Sequence, residues 1–540
     1  MLRVALRQSW IGVVAVSAIG IAAGSVQASA FVTVAGKTAA AQAAFGAQMV
    51  ALARQIAYLL PIPVHPETVA GYVQWRVFGG MAIVLLIWSV QSASGAGRGD
   101  EERGLVETWL AAGVPRRRLL LWRVGAFVLG ALVFGLLTGA AADAGAMAAG
   151  SSLPIGGLLG QAVALAALGA TCYAVVLVVA QLVETRRLAA GVGGALVTGL
   201  FFLNGIARTV DYQGPAVWLS PFHYFDRSDA VAPGGSVDWP ATAALIVIAA
   251  ALVGLAVLLF LRRDVGAAAL RPPAASRPPR YTPSINPMLR MPVLADLYAQ
   301  RVGLVAWIAG LVLFAVFMTS IAGQVGEFMA KTPGMAGYLA AIGGTTGVTR
   351  TVIGSIDYTI TLALLAIYAL TVVARWAADD QEGRLELVLS QPVPRWRVVM
   401  ERVAALAIGC LLIILAVSLA IAVVAPSQGV TLSTGDLVRA GGPLLAFGLL
   451  FGTVGATLAA RFPRLAVGVL GAYVGASYLL FQLGPLLRWP AWALDLSVFK
   501  LYGNPLVSGI EWTGLLAVTA IAVAGFGAAL LLIQRREVGS

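Results

Sequence analysis

Long uncharged apolar stretches alternate with short charged segments along this chain, and the alternation predicts membrane-spanning helices. A helix needs roughly 17–25 apolar residues to cross a bilayer, and charged side chains inside the bilayer are costly. Twelve stretches meet this requirement: Gln8–Gly36, Val77–Gly97, Val124–Ala142, Ala144–Val183, Leu188–Ala207, Trp239–Leu261, Val302–Gly326, Tyr358–Ala374, Val403–Gly435, Ala440–Ala460, Leu465–Leu487 and Trp512–Gln534. The fourth is longer than one span and contains a turn-forming segment around Gly150–Pro154. We therefore predict an all-α polytopic membrane protein.

Composition supports this class. Of the 540 residues 59% are hydrophobic and only 11% are charged, and the mean hydropathy is +0.89. A water-soluble core of ordinary shape could not bury that much apolar surface. Cys172 and Cys410 both lie inside apolar runs, so neither a disulfide framework nor a cysteine metal site is indicated.

The positions of the basic residues predict the orientation in the membrane. Short loops rich in arginine and lysine stay on the cytoplasmic side. Most of the 36 basic residues fall together if both termini, the central linker and the loops at 100–123, 184–187, 375–402 and 461–464 are cytoplasmic. We expect a multi-pass protein of the plasma (inner) membrane with both termini inside. Because topology accounts for the net charge of +12, a nucleic-acid partner is not expected.

The N-terminus offers an alternative. Arg3 and Arg7, an apolar run and Ala28-Ser29-Ala30 also fit a cleaved signal peptide. Cleavage would leave five spans in the first half against six in the second. We therefore expect the segment to remain as the first span.

One polar segment occurs twice, because Asp100 to Arg123 returns as Asp379 to Arg402. The copies share Asp100/Asp379, Gly104/Gly383, Glu107/Glu386, Leu110/Leu389, Val114/Val393, Pro115/Pro394, Arg116/Arg395, Arg118/Arg397 and Arg123/Arg402, all 279 residues apart. Shorter matches extend to the ends of the halves, where Arg262-Arg263-Asp264-Val265-Gly266 is matched by Arg535-Arg536-Glu537-Val538-Gly539. We predict two tandem six-helix halves of equal orientation, 1–266 and 302–540. A Pro/Arg-rich cytoplasmic linker and a short interfacial helix around Leu294–Arg301 would occupy 267–301.

Groups for covalent chemistry are missing from the pattern. The two histidines, His65 and His223, are assigned to outer loops, and neither a carboxylate cluster nor a serine–base arrangement occurs. We predict no catalytic residue, no metal site and no cofactor in this chain. None of the twelve stretches contains an Asp, Glu, Lys, Arg or His, so an internal ion-coupling site is not expected. Energy would then come from outside the membrane domain.

The duplicated loop is the candidate for receiving that energy. Residues 104–110 can form a short surface helix preceded by acids, Pro115 and Pro394 would end it, and arginines would anchor the next span. A charged connector that only enforces topology is the simpler interpretation of one such loop. Retention of Gly104, Glu107, Leu110 and Pro115 in a second copy favours docking of a duplicated partner instead.

These residues resemble a known family. Acidic residues, glycine, a short leucine-bearing helix and Pro-x-Arg-x-Arg after the second span, with the closing Arg-Arg-Asp/Glu-Val-Gly, are similar to the permease subunit of type-2 ABC exporters. The likeness is strongest to the fused twelve-span actinobacterial permeases for polyketide antibiotics, tetronasin and other drugs. The resemblance implies a non-catalytic subunit with two coupling helices, powered by two separate ATP-binding subunits that hold ATP and Mg. Similar docking loops favour a homodimer of those subunits.

The resemblance also implies residue roles. Coupling would involve Glu102, Gly104, Glu107, Leu110, Pro115 and Arg116 in the first half, with Glu382, Gly383, Glu386, Leu389, Pro394 and Arg395 in the second. The glycines would permit close backbone approach and the acids would pair with basic partner rims. The path for a hydrophobic or amphipathic small molecule would include Trp88, Phe201, Phe202, Asn204, Tyr368, Tyr473, Tyr478 and Phe481.

Two other classes of function stay open. An ion-coupled twelve-span secondary transporter would depend on an ion gradient rather than on ATP. A membrane-embedded lipid-modifying enzyme or a structural scaffold is disfavoured, because polar residues do not cluster at interface depth. Within the exporter class, the sequence is compatible with antibiotic self-resistance and with export of a lipid or siderophore.

Overall fold

The computed structural model describes residues 2–55, 57–210, 212, 214–269, 287–331, 347–381, 383–463, 465–484 and 489–535. These residues form helices and contain no strand, and eleven of the helices among them are long and apolar enough to cross a membrane. The predicted class, an all-α polytopic membrane protein, is confirmed. The chain divides into two compact units, Met1–Arg280 and Tyr281–Ser540.

The described residues of the first unit form nine α-helices. They are α1 Leu2–Ala35, α2 Ala39–Gln55, α3 Val69–Glu102, α4 Leu105–Ala111, α5 Arg116–Ala148, α6 Ile155–Leu182, α7 Arg186–Thr209, α8 Pro221–Asp226 and α9 Trp239–Arg262. Helix α3 includes π-helical turns at Gln74–Phe78 and Gly95–Gly99, and a 3-10 turn at Pro215–Leu219 precedes α8.

Helix α6 is the centre of the first unit. It is the most buried of the membrane-length helices there, and α3, α5, α7 and α9 pack around it. Helix α1 lies along α5 instead, and small residues permit this close contact. A Cβ at Gly24 would lie 2.7 Å from the Thr138 carbonyl oxygen, and a Cβ at Gly145 would lie 2.5 Å from the Ser25 carbonyl oxygen.

The second unit contains eight described helices of four residues or more. They are α10 Pro292–Lys331, α11 Val348–Asp380, α12 Arg384–Leu389, α13 Arg395–Val424, α14 Thr434–Arg461, α15 Ala466–Leu483, α16 Ala491–Leu494 and α17 Trp512–Arg535. Helix α11 includes a π-helical segment at Ile353–Tyr358, and 3-10 turns lie at Pro287–Arg290, Ala425–Gln428 and Val498–Tyr502. Within this unit α10 lies along α13, and α14 packs against α11, α13, α15 and α17.

Three features differ from the sequence expectations. Helix α2 lies in a predicted loop. The Phe45 ring on α2 packs against the rings of Phe31 and Tyr72, at centroid distances of 5.9 Å and 5.8 Å. Helix α15, at the predicted eleventh span, is a shorter apolar helix than the eleven of membrane length, so the count of twelve spans stays a prediction. The segment Leu294–Arg301 is not a separate interfacial helix, since it is the beginning of α10. Residues 270–286 of the predicted linker lie outside the described residues.

Candidate functional site

The duplicated segment forms the same local structure in both units. In the first unit α3 ends at Glu102, Gly104 has a φ of 67°, and the short helix α4 follows. In the second unit Gly383 has a φ of 71° before α12. An L-residue with a side chain rarely adopts this left-handed backbone, whereas glycine adopts it at no steric cost. The retained glycine is therefore explained by the turn between two helices.

Close approach of another part of the chain does not explain the glycines at these two positions. A Cβ placed at either Gly104 or Gly383 would meet no atom within 4 Å. The turn alone requires glycine at both positions. Approach of a partner to them stays a prediction.

The prolines act at a different helix end from the one expected. Helix α4 ends at Ala111 and α12 ends at Leu389, several residues before Pro115 and Pro394. Each proline instead is the N-cap residue of the following long helix, with extended backbone at ψ 135°. The expectation that proline terminates the short helix is wrong. A proline favours extended backbone and has no N–H to satisfy, so it suits the start of a helix.

A duplicated ion pair closes each loop. In the first unit Arg123 on α5 donates to the Asp100 carboxylate, and Arg103 donates to its other oxygen at 2.6 Å. In the second unit Arg402 lies 3.4 Å from the Asp379 carboxylate, which also accepts from Arg384 at 2.8 Å. In both units the aspartate and the arginine that were copied together join the end of one long helix to the first turns of the next.

A second duplicated contact joins the loop to the last long helix of its unit. Arg116 donates to the Arg263 carbonyl oxygen at 2.9 Å, and Arg395 donates to the Gln534 carbonyl oxygen at 3.2 Å. Residues 263 and 534 lie at the C-terminal ends of α9 and α17. Both arginines were predicted as coupling residues, but the sequence did not indicate this partner.

The two short helices have exposed outer surfaces. Glu107 and Glu386 are exposed at equivalent positions, and Leu110 and Leu389 are half-buried. The second short helix also exposes Leu387, at 71% of its full accessible area. The Glu102 carboxylate already has a partner within the chain, because it accepts a hydrogen bond from the Arg186 backbone amide at 2.6 Å. The predicted coupling residue Glu382 lies outside the described residues.

A cluster of buried charged residues lies behind the first loop, and the sequence pattern does not predict it. The Glu101 carboxylate accepts from Arg98 at 3.0 Å, from the Gly266 amide at 3.0 Å and from two nitrogens of Arg263. Arg98 and Arg263 are 1% and 6% exposed. Arg263 also donates to the Gln181 side chain at 3.0 Å. This cluster joins the ends of α3, α6 and α9 beneath the short helix.

Part of this cluster was visible in the sequence. Arg98 and Glu101 are three residues apart, the spacing of neighbours on a helix, and Arg263 belongs to a motif that ends both halves. The second unit differs, because Ala377 stands 279 residues after Arg98. In the second unit the arginine nearest in sequence to this position is Arg375, which donates to Asp296 on α10 at 2.9 Å. The two loops therefore have the same surface geometry, but different buried charged residues lie behind them.

An ionisable residue lies inside a membrane-length helix of the second unit, contrary to expectation. Asp357 belongs to the π-helical segment of α11 and is 1% exposed. One carboxylate oxygen accepts from Thr319 on α10 at 2.8 Å, and the other has no hydrogen-bond partner among the described residues. The predicted span begins at Tyr358, because the sequence expectation places charged residues outside the spans. The helix continues past it, since Thr319 supplies a donor from another helix.

The aromatic residues predicted for a substrate path have varied surroundings. Trp88, Phe201 and Tyr368 are buried in the cores of their units, and Tyr478 and Phe481 pack against Phe499. Asn204 is also buried, and its amide donates to Asp226 at 2.6 Å. Only Phe202 and Tyr473 of the eight predicted residues are exposed on their units. Whether any of the eight lines a substrate path stays a prediction.

The segment between α7 and α9 contains the second histidine of the chain, which was assigned to an outer loop from the sequence. His223 on α8 lies edge-on to Trp218, with ring centroids 4.7 Å apart. Burial lowers the pKa of His223, and burial raises the pKa of Asp226 against the opposing effect of Arg208. Arg208 donates to Asp226 at 2.7 Å. The histidine therefore has the surroundings of a packed structural residue.

Comparison with known proteins identifies relatives across both units. The chain matches the family described as "Multidrug efflux system permease Rv1217c, C-terminal domain" over residues 64–261 and 289–533. It is also similar to the multidrug efflux system permease protein Rv1217c of Mycobacterium tuberculosis (strain ATCC 25618 / H37Rv). That similarity is 28% identity over 503 residues, covering 88% of this chain and 84% of the relative. Both copies of the duplicated loop lie inside the matched ranges.

Proposed function

Because the chain belongs to the family of the Rv1217c multidrug efflux permease C-terminal domain, we propose that it is the membrane permease of an ATP-driven (ABC) exporter. Its cargo would be hydrophobic or amphipathic small molecules such as antibiotics and other drugs. Two separate ATP-binding subunits would supply ATP, Mg and hydrolysis, and this chain would perform no covalent chemistry. Family membership supports a permease for drug export, and the duplicated loop supports the ATP-driven form of it.

The observation that carries the proposal is the repeated geometry of the loop. Each copy combines a left-handed glycine, a short exposed helix, an Asp–Arg pair and an arginine joined to the last long helix of its unit. A charged connector that only set topology would not need these four features twice. A duplicated docking element for two like subunits does need them.

The contacts of the loop suggest how movement would pass into the membrane. A partner that displaces the loop where α3 ends would also displace α5, because the Asp100–Arg123 pair joins the end of α3 to α5. The Arg116 contact extends the same connection to α9. Rigid helices of this kind move as bodies rather than bending continuously. The second unit has the equivalent contacts through Asp379, Arg402 and Arg395.

The test removes the exposed acids on the short helices. Glu107→Gln and Glu386→Gln are combined, and the permease is purified with a candidate ATP-binding subunit. We expect co-purification and permease-stimulated ATPase activity to fall by about fivefold or more, since each acid would pair with a basic rim on the partner. Glu511→Gln, an exposed acid outside the loops, is the matched control and should change neither quantity. Unchanged values in the double variant would refute the docking assignment.

One observation favours a second candidate, an ion-coupled secondary transporter. Ionisable residues within membrane helices are rare, and they commonly serve ion or substrate pathways. Asp357 is such a residue, and no basic side chain pairs with it among the described residues. Under this candidate, drug efflux would persist in ATP-depleted cells and stop when the ion gradient is collapsed. The exporter proposal expects the opposite dependence.

A further inference from the structure

A polar cavity lies inside the first unit at the end of α3 that carries the duplicated loop. Its volume is about 240 Å³, and helices α1, α3, α5 and α6 contribute to its wall. Asp100, Arg103 and Arg123 lie on its polar side, and Phe127 and Tyr173 lie on its aromatic side. The cavity is separate from the exposed face of α4, which is the surface proposed for docking.

The charged groups of the cavity leave a positive excess. Asp100 is the only acid among the described residues that border the cavity, and this one carboxylate accepts from both Arg103 and Arg123. The Nε of Arg123 is buried and has no hydrogen-bond partner among the described residues. A buried guanidinium N–H without an acceptor is costly, and an anion would satisfy it. The charge balance therefore favours an anionic ligand.

A buried hydroxyl group supplies a second, independent indication. Tyr173 is 1% exposed, and its ring stacks on Phe127 at a centroid distance of 4.4 Å. Its hydroxyl has no hydrogen-bond partner among the described residues, although it borders the cavity. Buried polar atoms in folded proteins are nearly always paired. A ligand oxygen in the cavity would accept from this hydroxyl and from Arg123.

The residues at the edge of the cavity are of the types found at the level of lipid headgroups. Gln8 and Gln91 border it and are exposed on the surface of the unit. Trp10, two residues further along α1, exposes 55% of its accessible area. Tryptophan gathers at the level of lipid headgroups, where an apolar ring can meet polar surroundings. The ligand best suited to a positive cavity opening at that level is the phosphate of an anionic phospholipid.

We propose that the cavity bordered by Asp100, Arg123 and Tyr173 binds the headgroup of an anionic phospholipid. The phosphate accepts from the Nε of Arg123 and from the Tyr173 hydroxyl, and the acyl chains remain in the bilayer beside α1. This binding needs neither ATP nor an ATP-binding subunit. It is therefore independent of the proposed transport function and goes beyond it.

The second unit keeps Asp379 and Arg402, the copies of Asp100 and Arg123, but it differs from the first unit at a residue that borders the cavity. The residue 279 positions after Ala96, which borders the cavity, is Arg375, and its side chain is paired with Asp296. Arginine at that position fills space that alanine leaves open in the first unit. We therefore expect one lipid per chain, bound in the first unit.

The experiment measures lipid binding to the delipidated full chain in detergent by native mass spectrometry. Dioctanoyl phosphatidylglycerol should bind at one saturable site, at least tenfold more tightly than dioctanoyl phosphatidylcholine. Tyr173→Phe should weaken that binding about tenfold, because it removes one hydrogen bond to a charged group. The hydroxyl has no hydrogen-bond partner among the described residues, so the variant should fold normally. Tyr368→Phe is the matched control, as it removes another buried hydroxyl that has no hydrogen-bond partner among the described residues and does not border the cavity, and it should leave binding unchanged.

A second variant and a competition separate the possible results. Ala96→Arg, which copies the second unit, should abolish the phosphatidylglycerol site. Equal binding of the two lipids, or unchanged binding in Tyr173→Phe, would overturn the proposal. Competition by millimolar inorganic phosphate without any preference for phosphatidylglycerol would also overturn it, because the site would then hold free phosphate rather than lipid.

Discussion

Replacing Glu101 should destabilise the first unit more than replacing any exposed acid of the duplicated loop. Glu101 is the carboxylate that Arg98 and Arg263 share, and all three side chains are at most 4% exposed. Glu101→Gln leaves two buried guanidinium groups without a counter-charge. Removing one partner of a buried ion pair costs about 3–5 kcal/mol. For a unit of this size we expect the midpoint of thermal unfolding to fall by about 5–10 °C.

The assay is thermal unfolding of the purified chain in detergent, followed by fluorescence-detected size exclusion. Glu107→Gln is the matched control, because its side chain is exposed, and it should change the midpoint by less than about 1 °C. The double variant Arg98→Met with Glu101→Gln removes one excess charge and should recover at least half of the loss. A small shift for Glu101→Gln, or no recovery in the double variant, would refute a cluster held together by its charges.

Three further outcomes are expected from the same unfolding assay. Gly104→Ala and Gly383→Ala should each cost about 1–2 kcal/mol because their φ is positive, whereas Gly125→Ala, in an open helical position, should cost nothing. Asp357→Asn should not lower stability, since the carboxylate has no basic partner among the described residues. Asp436→Asn should lower it, because Arg350 and Arg439 both donate to Asp436 at 2.5 Å. Asp238 is the N-cap residue of α9, and its pKa is lowered mainly by the hydrogen bond from the Ala241 amide and next by the hydrogen bond from Arg227. Asp238→Ala should thus cost about 1 kcal/mol at pH 7, and the difference from wild type should vanish as the pH falls through that lowered pKa.

The membrane class and most helices were predictable because bilayer-length apolar runs depend on local composition. The break between α5 and α6 falls at the predicted turn, where Gly150 has a φ of 78°. Helix ends were less predictable, because every charge was treated as the end of a span. Asp143 and Asp357 both lie within longer helices. Asp143 accepts from the Leu153 amide at 2.9 Å, so each acid has a donor from outside its own helix.

The candidate site was predictable where its residues were duplicated. Repetition identified Gly104, Pro115 and Arg116, although their contacts differ from the expected ones. It could not identify Glu101, whose partner Arg263 is 162 residues distant in the chain. Contacts of that kind depend on which helix ends meet in the folded unit. The cavity beside Tyr173 was likewise inaccessible, since an unpartnered hydroxyl has no sequence pattern.

The central claim is that both short helices face the cytoplasm and dock an ATP-binding subunit there. It is tested most directly by maleimide labelling of Thr108→Cys and Leu387→Cys, two exposed positions on α4 and α12. The native cysteines, Cys172 and Cys410, are buried and should contribute no background. We predict that an impermeant maleimide labels both positions only after the cells are opened, and that the added ATP-binding subunit protects both. Labelling of either position in intact cells, or labelling that the subunit leaves unchanged, would contradict the account.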